Sequence, residues 1–264
     1  MWHGFATALV TGASSGIGEQ FARILARQNV NLILTARSQD RLAALATELL
    51  SAGAPRIEVI AIDLSCETAA AALWDEINSR QLMPDLLINN AGFGLGGHFS
   101  ELSIDRQLDM IRLNISASVQ LTHCFLQYAV TTGKGGVIMV ASMAGFIPMP
   151  GMAIYSATKA FLANFTEGLR QEVAPRGIRV MSVLPGIVPT GFQQTAGVDI
   201  ARNLRFSALT AEQVAAEGLA AFAAGHPRWV PGMINRLIFR LLPIVPQRLL
   251  AWLASRNMAF KDTQ

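Results

Sequence analysis

The sequence predicts an α/β fold built on a doubly wound parallel sheet, with helices on both faces. Three observations lead to this class. Short apolar runs alternate with segments of helical periodicity along most of the chain. A glycine-rich turn joins the first apolar run to the first helical segment. The length of 264 residues suits a single domain, so we expect residues 1–264 to form one unit.

The strands follow from apolar runs that are typical of parallel strands buried on both faces. The predicted strands are 5–10, 30–35, 57–62, 86–88, 137–140 and 178–184, with a seventh, edge strand at 228–230. The predicted helices are 18–25, 41–50, 67–77, 103–130 and 153–173. Right-handed crossovers between successive strands then wind an open sheet on both faces.

The composition is unusually apolar. Hydrophobic residues make up 52% of the sequence and charged residues 15%, against about a quarter charged in ordinary domains. Buried helix faces, an oligomer or a membrane surface would each explain the deficit. No secretory signal precedes the first strand, and no apolar stretch reaches roughly 18 residues without an arginine or proline. A cytoplasmic location is expected, peripheral to a membrane if a surface of the chain binds lipid.

The cysteines and histidines show no pattern of metal or redox chemistry. Cys66 and Cys124 are far apart in the sequence, which favours two reduced thiols. The four histidines have no ligand spacing: His3, His98, His123 and His226. The sequence therefore predicts no metal site.

The glycine-rich turn has the context of a dinucleotide site. Thr11-Gly12-Ala13-Ser14-Ser15-Gly16-Ile17-Gly18 follows a predicted strand and opens a predicted helix. Glycines let the backbone approach a pyrophosphate, and the helix N-terminus supplies N–H groups and a positive dipole. The spacing G-x-x-x-G-x-G differs from the common G-x-G-x-x-G, and a purely structural turn is the alternative.

A tyrosine and a lysine lie one helical turn apart in the helix predicted at 153–173. Tyr155 and Lys159 share a face of that helix, so the ammonium can lower the pKa of the phenol from its usual value of about 10. A general acid or base at neutral pH needs such a shift. For the pair alone, a half-buried helix with a snorkelling lysine is the alternative.

These motifs occur with others in one order along the chain. The set is Thr11 to Gly18, Asn89-Asn90-Ala91-Gly92, Asn114, Ser142, Tyr155, Lys159 and Pro185-Gly186-Ile187-Val188-Pro189-Thr190. In order and spacing it resembles the short-chain dehydrogenase/reductase family over roughly residues 5–190. The resemblance implies a Rossmann-type sheet and an enzyme that moves hydride between a nicotinamide cofactor and a carbonyl or alcohol.

The resemblance implies a catalytic role for four residues. Ser142 would hydrogen-bond the substrate oxygen, and Tyr155 would exchange a proton with it. Lys159 would lower the pKa of that phenol and hold the nicotinamide ribose. Asn114 would hold a water that links Lys159 to solvent. From its position alone, an asparagine in a long helix is more often a tolerated surface residue.

The end of the second predicted strand favours NADP over NAD. A carboxylate about twenty residues after the glycine turn would select NAD, whereas this chain has Arg37 and Ser38 there. A guanidinium suits the 2′-phosphate of NADP, and a surface arginine before the next helix is the alternative. By the resemblance, Asp63 and Leu64 would border the adenine, and Asp63 could also cap the following helix. The other implied cofactor contacts are Gly12, Ser14, Ser15, Gly16, Ile17, Gly18, Asn90, Ala91, Gly92, Tyr155, Lys159, Pro185, Gly186, Val188 and Thr190.

The substrate side is predicted to be apolar. Large apolar side chains follow Ser142, the asparagine-alanine-glycine stretch and Thr190, at places that line the substrate in this family. The implied substrate residues are Phe93, Phe146, Ile147, Met149 and Phe192. Their character favours a hydrophobic ketone or alcohol over a charged substrate. For any one of them, simple packing under a loop is an equally good interpretation.

We therefore predict an NADP(H)-dependent oxidoreductase of a hydrophobic ketone, aldehyde or secondary alcohol, with residues 187–264 as its substrate-binding lid and tail. The nearer alternative uses NAD, or performs an epimerisation or imine reduction on the same fold. The other alternative is a nucleotide sensor or scaffold without turnover, and the presence of Ser142, Tyr155 and Lys159 argues against it.

The partners follow from the long helices and the tail. Helices 103–130 and 153–173 favour a homodimer or homotetramer, because related enzymes commonly pair there; no nucleic-acid partner is expected. Residues 225–264 hold six basic residues and one acidic residue, Asp262. Arginines flank an apolar helical stripe of Ile234, Leu237, Ile238 and Leu241. A lid or subunit contact is one interpretation of the tail, and peripheral contact with anionic lipid is the other.

Overall fold

The chain folds around a parallel sheet, and the computed structural model describes residues 2–200 and 206–260. The strands are β1 (Thr7–Thr11), β2 (Asn31–Ala36), β3 (Ile57–Ala61), β4 (Leu86–Asn89), β5 (Gly135–Val140), β6 (Ile178–Val183), β7 (Val198–Ile200), β8 (Arg228–Trp229) and β9 (Met258–Phe260). Seven of them form one sheet in the order β3-β2-β1-β4-β5-β6-β8, with every neighbour parallel. β7 and β9 form a separate antiparallel pair.

Helices cover both faces of the sheet. They are α1 (Gly16–Arg27), α2 (Gln39–Ser51), α3 (Ala69–Ser79), α4 (Ile104–Ile111), α5 (Ser118–Thr132), α6 (Ala153–Val173), α7 (Phe192–Ala196), α8 (Ala211–Ala223), α9 (Met233–Leu241) and α10 (Gln247–Arg256). A π-helical segment, Arg112–Ala117, joins α4 to α5 without a break, and a 3-10 turn, Met143–Phe146, precedes α6.

Alternate side chains of each strand pack on opposite faces. In β1, Leu9 packs with α3 and α5, whereas Ala8 and Val10 pack with α1, α2 and α8. Helix α6 lies on the same face as α5, where Leu162 packs on Met139 of β5. Because β4 and β5 are buried along their whole length, their sequences are almost continuously apolar rather than alternating.

The fold class is confirmed, and the seven predicted sheet strands are present, with ends that differ by at most two residues. The prediction that Asp63 caps the third helix is wrong. Helix α3 begins at Ala69 with Thr68 as its N-cap. The Asp63 carboxylate instead accepts hydrogen bonds from the backbone N–H and the hydroxyl of Ser65, 3.0 and 2.7 Å away. The elements β7 and β9 lie where the sequence predicted no strand, and α7, α8 and α10 lie where it named no individual helix.

Helix α9 is fastened to the body of the protein by two polar side chains. The Glu217 carboxylate of α8 accepts hydrogen bonds from Gly232 N, Trp229 Nε1 and Arg236 Nη1. Asn235 is buried, and its amide donates to the carbonyl oxygens of Ser207 and Pro231, both at 3.1 Å. These contacts fix one side of α9.

None of the helices within residues 2–200 and 206–260 is long and apolar enough to cross a bilayer. Cys66 and Cys124 are both free thiols.

Candidate active site

The glycine turn lies against the segment that follows β4. Gly12 has a φ of 65°, and a Cβ atom there would lie 2.9 Å from Asn90 Nδ2. A Cβ atom on Gly18 would collide with the carbonyl oxygen of Gly12. Only glycine at both positions lets the chain turn from β1 into α1 so close to Asn90.

One hydroxyl group holds these two segments together. Thr11 Oγ1, at the end of β1, accepts hydrogen bonds from the backbone N–H groups of Asn90 and Ala91, each 2.9 Å away. In return, Asn90 Nδ2 donates to the Thr11 carbonyl oxygen at 2.9 Å. The Thr190 side chain closes a third side, 3.4 Å from where a Cβ atom on Gly16 would lie.

The start of α1 suits a dinucleotide pyrophosphate. Ser15 is the N-cap of α1 in extended conformation, and its side chain makes no capping hydrogen bond. The first backbone N–H groups of the helix are therefore left to a ligand, and the bare glycine backbone beside them admits a phosphate. The residues present fit the nicotinamide dinucleotide that the motif predicts.

Ser142 and Tyr155 lie at the carboxyl edge of the sheet. Ser142 follows β5, and its hydroxyl accepts a hydrogen bond from Ala144 N at 3.1 Å and donates to Pro185 O at 3.4 Å. Tyr155 lies in the first turns of α6 and is 9% exposed. A Cβ atom on Gly145 would lie 2.6 Å from Ala160 N, so glycine lets the turn after Ser142 pack directly on α6.

Lys159 is buried one turn further along α6. Its Nζ atom donates to the Val140 carbonyl oxygen at 2.9 Å and lies 5.9 Å from the centroid of the Tyr155 ring. A Cβ atom on Gly92 would lie 3.6 Å from the same Nζ atom. The ammonium is therefore held between the tyrosine and the segment that borders the glycine turn.

Asn114 is fully buried in the π-helical segment, so the interpretation of a tolerated surface residue is wrong. Its Oδ1 atom accepts from Phe93 N at 3.0 Å, and its Nδ2 atom donates to Phe93 O at 3.0 Å and to Thr158 Oγ1 at 3.1 Å. Single π-helical turns inside α-helices are frequent at functional sites. The amide ties the loop after Gly92 to α6.

Comparison with known proteins agrees with this geometry. A family model described as short chain dehydrogenase matches residues 6–200. The chain belongs to the short-chain dehydrogenase family. It is accordingly an oxidoreductase that acts on CH–OH and C=O groups.

Three members of the family illustrate the similarity. The 11-beta-hydroxysteroid dehydrogenase-like protein 4A of Arabidopsis thaliana is 34% identical over 253 residues, which cover 92% of this chain and 82% of that protein. A short-chain dehydrogenase from Sphingobium yanoikuyae in complex with NADPH has a TM-score of 0.82 and 32% identity, with 92% and 94% of the two chains covered. The bulky-bulky ketone specific alcohol dehydrogenase from Comamonas testosteroni has a TM-score of 0.76 and 29% identity, with 92% and 95% covered.

Burial dominates the electrostatics of this short-chain dehydrogenase site. It raises the pKa of Tyr155 to about 12, and hydrogen bonding by Ser142 acts in the opposite direction. Burial also lowers the pKa of Lys159 to about 8. The expected lowering of the Tyr155 pKa by Lys159 is not found. The pKa of the phenol is raised by burial, and the opposing contribution comes from Ser142.

Arg37 and Asp63 lie together at the carboxyl ends of β2 and β3. The Arg37 side chain is 74% exposed, and its guanidinium is 4.0 Å from the Asp63 carboxylate. Ser38 is the N-cap of α2 but makes no side-chain capping bond. The guanidinium and the serine hydroxyl are therefore accessible to a ligand that follows the glycine turn, whereas Leu64 is buried in the core.

Three of the five predicted substrate residues share an apolar cluster with Tyr155. Phe93, Met149 and Phe192 pack there, and the Phe192 ring centroid is 5.2 Å from that of Tyr155. Phe146 packs elsewhere, edge-on against Phe239 of α9 at 4.8 Å. Ile147 is partly buried, and its carbonyl oxygen accepts a hydrogen bond from Ser156.

The sequence interpretation missed the last strand of the site. Phe260 of β9 belongs to the same cluster as Tyr155, and its ring lies against Gly96 and Gly151. The only signal was a short apolar triplet after Asn257, which is too brief to predict a strand. Among residues 2–200 and 206–260, no group of three or more His, Cys, Asp or Glu side chains could hold a metal ion.

The buried Lys159 gives a pH dependence of stability that can be measured without substrate. Because burial lowers its pKa from 10.5 to about 8, the unfolded chain binds more protons at this site between those values. The unfolding free energy should therefore rise with pH in that window, by at most about 1.4 kcal/mol per pH unit. Above pH 10 the raised pKa of Tyr155 makes the unfolding free energy fall with pH. The contribution of Lys159 is therefore measured between pH 8 and pH 10.

The Lys159→Met variant lacks this titration, so wild-type protein should gain stability relative to it from pH 8 to pH 10. Urea unfolding of both proteins at several pH values measures the difference. A difference that stays constant or falls as the pH rises would show that Lys159 titrates normally.

Proposed function

We propose that the chain is an NADP(H)-dependent oxidoreductase that interconverts a hydrophobic ketone or aldehyde with its alcohol. The observation that carries the proposal is the meeting of Ser142, Tyr155 and Lys159 beside the glycine turn, under an apolar cluster. A bound nicotinamide would donate a hydride to the substrate or accept one from it. The residues of the chain bind, orient and exchange the proton.

In the direction of reduction, the Ser142 hydroxyl turns away from Pro185 O, 3.4 Å from it, and donates its one hydrogen bond to the carbonyl oxygen, which it polarises. The Tyr155 hydroxyl gives that oxygen its proton as the alcohol forms, and the resulting phenolate is stabilised by the Lys159 ammonium. At neutral pH, Lys159 with a pKa of about 8 is mostly protonated and can play this part. Asn114 positions the loop of Phe93 and, we propose, holds the water that returns the proton from solvent.

The preference for NADP is proposed from Arg37. Its exposed guanidinium at the end of β2 suits a 2′-phosphate, and the carboxylate that would select NAD is absent from that position. The relative from Sphingobium yanoikuyae, at 32% identity, binds NADPH. The apolar cluster above Tyr155 supports a hydrophobic substrate, and the Comamonas testosteroni relative acts on bulky-bulky ketones. Residues 187–264 would form the substrate-binding lid and tail.

Removal of the phenolic hydroxyl tests the acid–base role. Tyr155→Phe should lower turnover with a panel of hydrophobic carbonyls by at least 10²-fold, because the proton donor is lost while the ring remains. Cofactor binding should stay nearly unchanged. The chain has one other tyrosine, Tyr128 on α5, so Tyr128→Phe is the matched control and should keep normal turnover. Equal turnover in the two variants would show that Tyr155 is not the proton donor.

Removal of the guanidinium tests cofactor choice. Arg37→Ala should weaken NADPH binding by roughly one to two powers of ten, because a charge-assisted hydrogen bond contributes about 1.5–3 kcal/mol. NADH binding should change little, since NADH has no phosphate to lose. Arg41→Ala, an exposed arginine one turn into α2, is the control. Fluorescence titration with both cofactors measures the ratio, and an equal loss for both would mean that Arg37 is merely structural.

A homodimer or homotetramer is proposed through α4 and α6. These helices pack on each other, and each presents a large apolar side chain to solvent, Leu108 and Phe161. Such exposed apolar patches favour pairing of copies. Leu108→Glu combined with Phe161→Glu should shift the protein toward a monomer in light scattering at micromolar concentration. Leu50→Glu on α2 is the control, and a wild-type protein that is already monomeric would refute the proposal.

A further inference from the structure

Helices α9 and α10 and the turn between them expose an apolar surface, which we call the tail surface. Eight large apolar side chains belong to it, each between 42% and 79% exposed. They are Met233, Ile234, Leu237, Leu241, Ile244, Leu249, Trp252 and Leu253. Six other large apolar side chains among the described residues are exposed, three of them on α4 and α6, where pairing of copies is proposed, and three elsewhere. A concentration of this kind marks a binding surface rather than ordinary exposure.

The tail surface is displayed by a helix that is already packed on its other side. Ile238, predicted as part of the apolar stripe, is instead partly buried against the cluster of Met139 and Leu184, as is Phe239. Asn235 is buried beside Gly186, where a Cβ atom would lie 3.1 Å from its amide group. The exposed residues therefore do not form the inner face of a helix that has failed to dock. They face away from the body of the protein.

The charged residues of the segment that carries this surface are all basic. The sequence from residue 218 to residue 260 contains no aspartate or glutamate. Arg236 turns inward to Glu217, 2.9 Å away, but Arg240, Arg248 and Arg256 are exposed. None of these three forms an ion pair with any residue in the described part of the chain. Lys261 and Asp262, which entered the charge count of the tail, lie outside the described residues.

From this combination we propose that the tail surface docks on a lipid bilayer that contains anionic lipids. Apolar side chains with flanking arginines match the acyl boundary and the phosphate groups of such a membrane. A second copy of the chain fits less well. A symmetric contact would set the same surface against itself and bring unpaired arginines of both copies together, which costs free energy.

Docking in this way would hold the substrate side of the protein close to the bilayer. Helix α10 leads directly into β9, whose Phe260 packs in the Tyr155 cluster. A substrate dissolved in lipid would then reach the site without crossing bulk water. This consequence alone rests on the proposed function; the docking itself does not.

Vesicle co-sedimentation of the full chain tests the proposal without any measurement of activity. The probes are phosphatidylcholine vesicles with and without about one third phosphatidylglycerol, at low and high salt. We expect binding to the anionic vesicles that weakens with salt. Arg240→Gln combined with Arg248→Gln should weaken it roughly thirtyfold, because each basic residue near an anionic surface contributes about 1 kcal/mol. Leu237→Gln combined with Trp252→Gln should weaken it at least about tenfold, since the apolar anchors are lost.

The controls come from the opposite end of the sheet. Leu50→Gln and Arg41→Gln change one exposed apolar and one exposed basic residue of α2, and binding should be unaffected. All of these side chains are exposed, so unfolding is not expected, and circular dichroism verifies it. Two results would overturn the proposal. The first is no binding of the wild-type chain to anionic vesicles, and tail variants that dissociate an oligomer in light scattering would then identify the tail surface as a subunit contact. The second is a loss of binding in the α2 controls equal to that in the tail variants.

Discussion

The Thr11 hydroxyl makes two short hydrogen bonds to the backbone of the segment after β4, and the geometry of the site depends on them. They fix Asn90 and Ala91 against the glycine turn at the carboxyl edge of the sheet. Gly92 follows at once, and its neighbours there are Asn114 Oδ1 and Lys159 Nζ. The Thr11 hydroxyl thereby helps to fix the position of the glycine turn relative to the helix that carries Tyr155.

The second constraint is the exclusion of water. Tyr155 and Lys159 are each held in surroundings that favour their neutral forms, and both pKa values have moved accordingly. At a site of low effective dielectric constant, a charge on either group acts on the other more strongly than it would in water. A charged ligand placed beside this pair would therefore act on both groups more strongly than it would in water.

Much of the fold was predictable, because buried parallel strands and a glycine turn each have a recognisable local sequence pattern. The middle of β1, Ala8-Leu9-Val10, is apolar because both faces of the strand are covered, and α6 follows from its helical periodicity. What the sequence could not show is long-range. Burial of Asn114, the packing of Phe146 on α9 rather than beside Tyr155, and the pairing of β7 with β9 all depend on residues far apart in the chain. For the same reason the sequence could not show which residues of the apolar stripe in α9 are buried. Ile238 packs on the core and Leu237 is exposed, although the two are chemically similar.

The π-helical segment between α4 and α5 makes the position of Asn114 sensitive to the number of residues in this helix. A π turn widens the helix locally and shifts the register of all residues beyond it relative to a regular helix. Deleting one residue from 112–117 would restore regular helical geometry and improve the local backbone. It would also rotate Asn114 away from Phe93 and Thr158. The extra residue of the π turn thus places the Asn114 amide against Phe93 and Thr158, and a regular helix over the same residues would leave those groups without these hydrogen bonds.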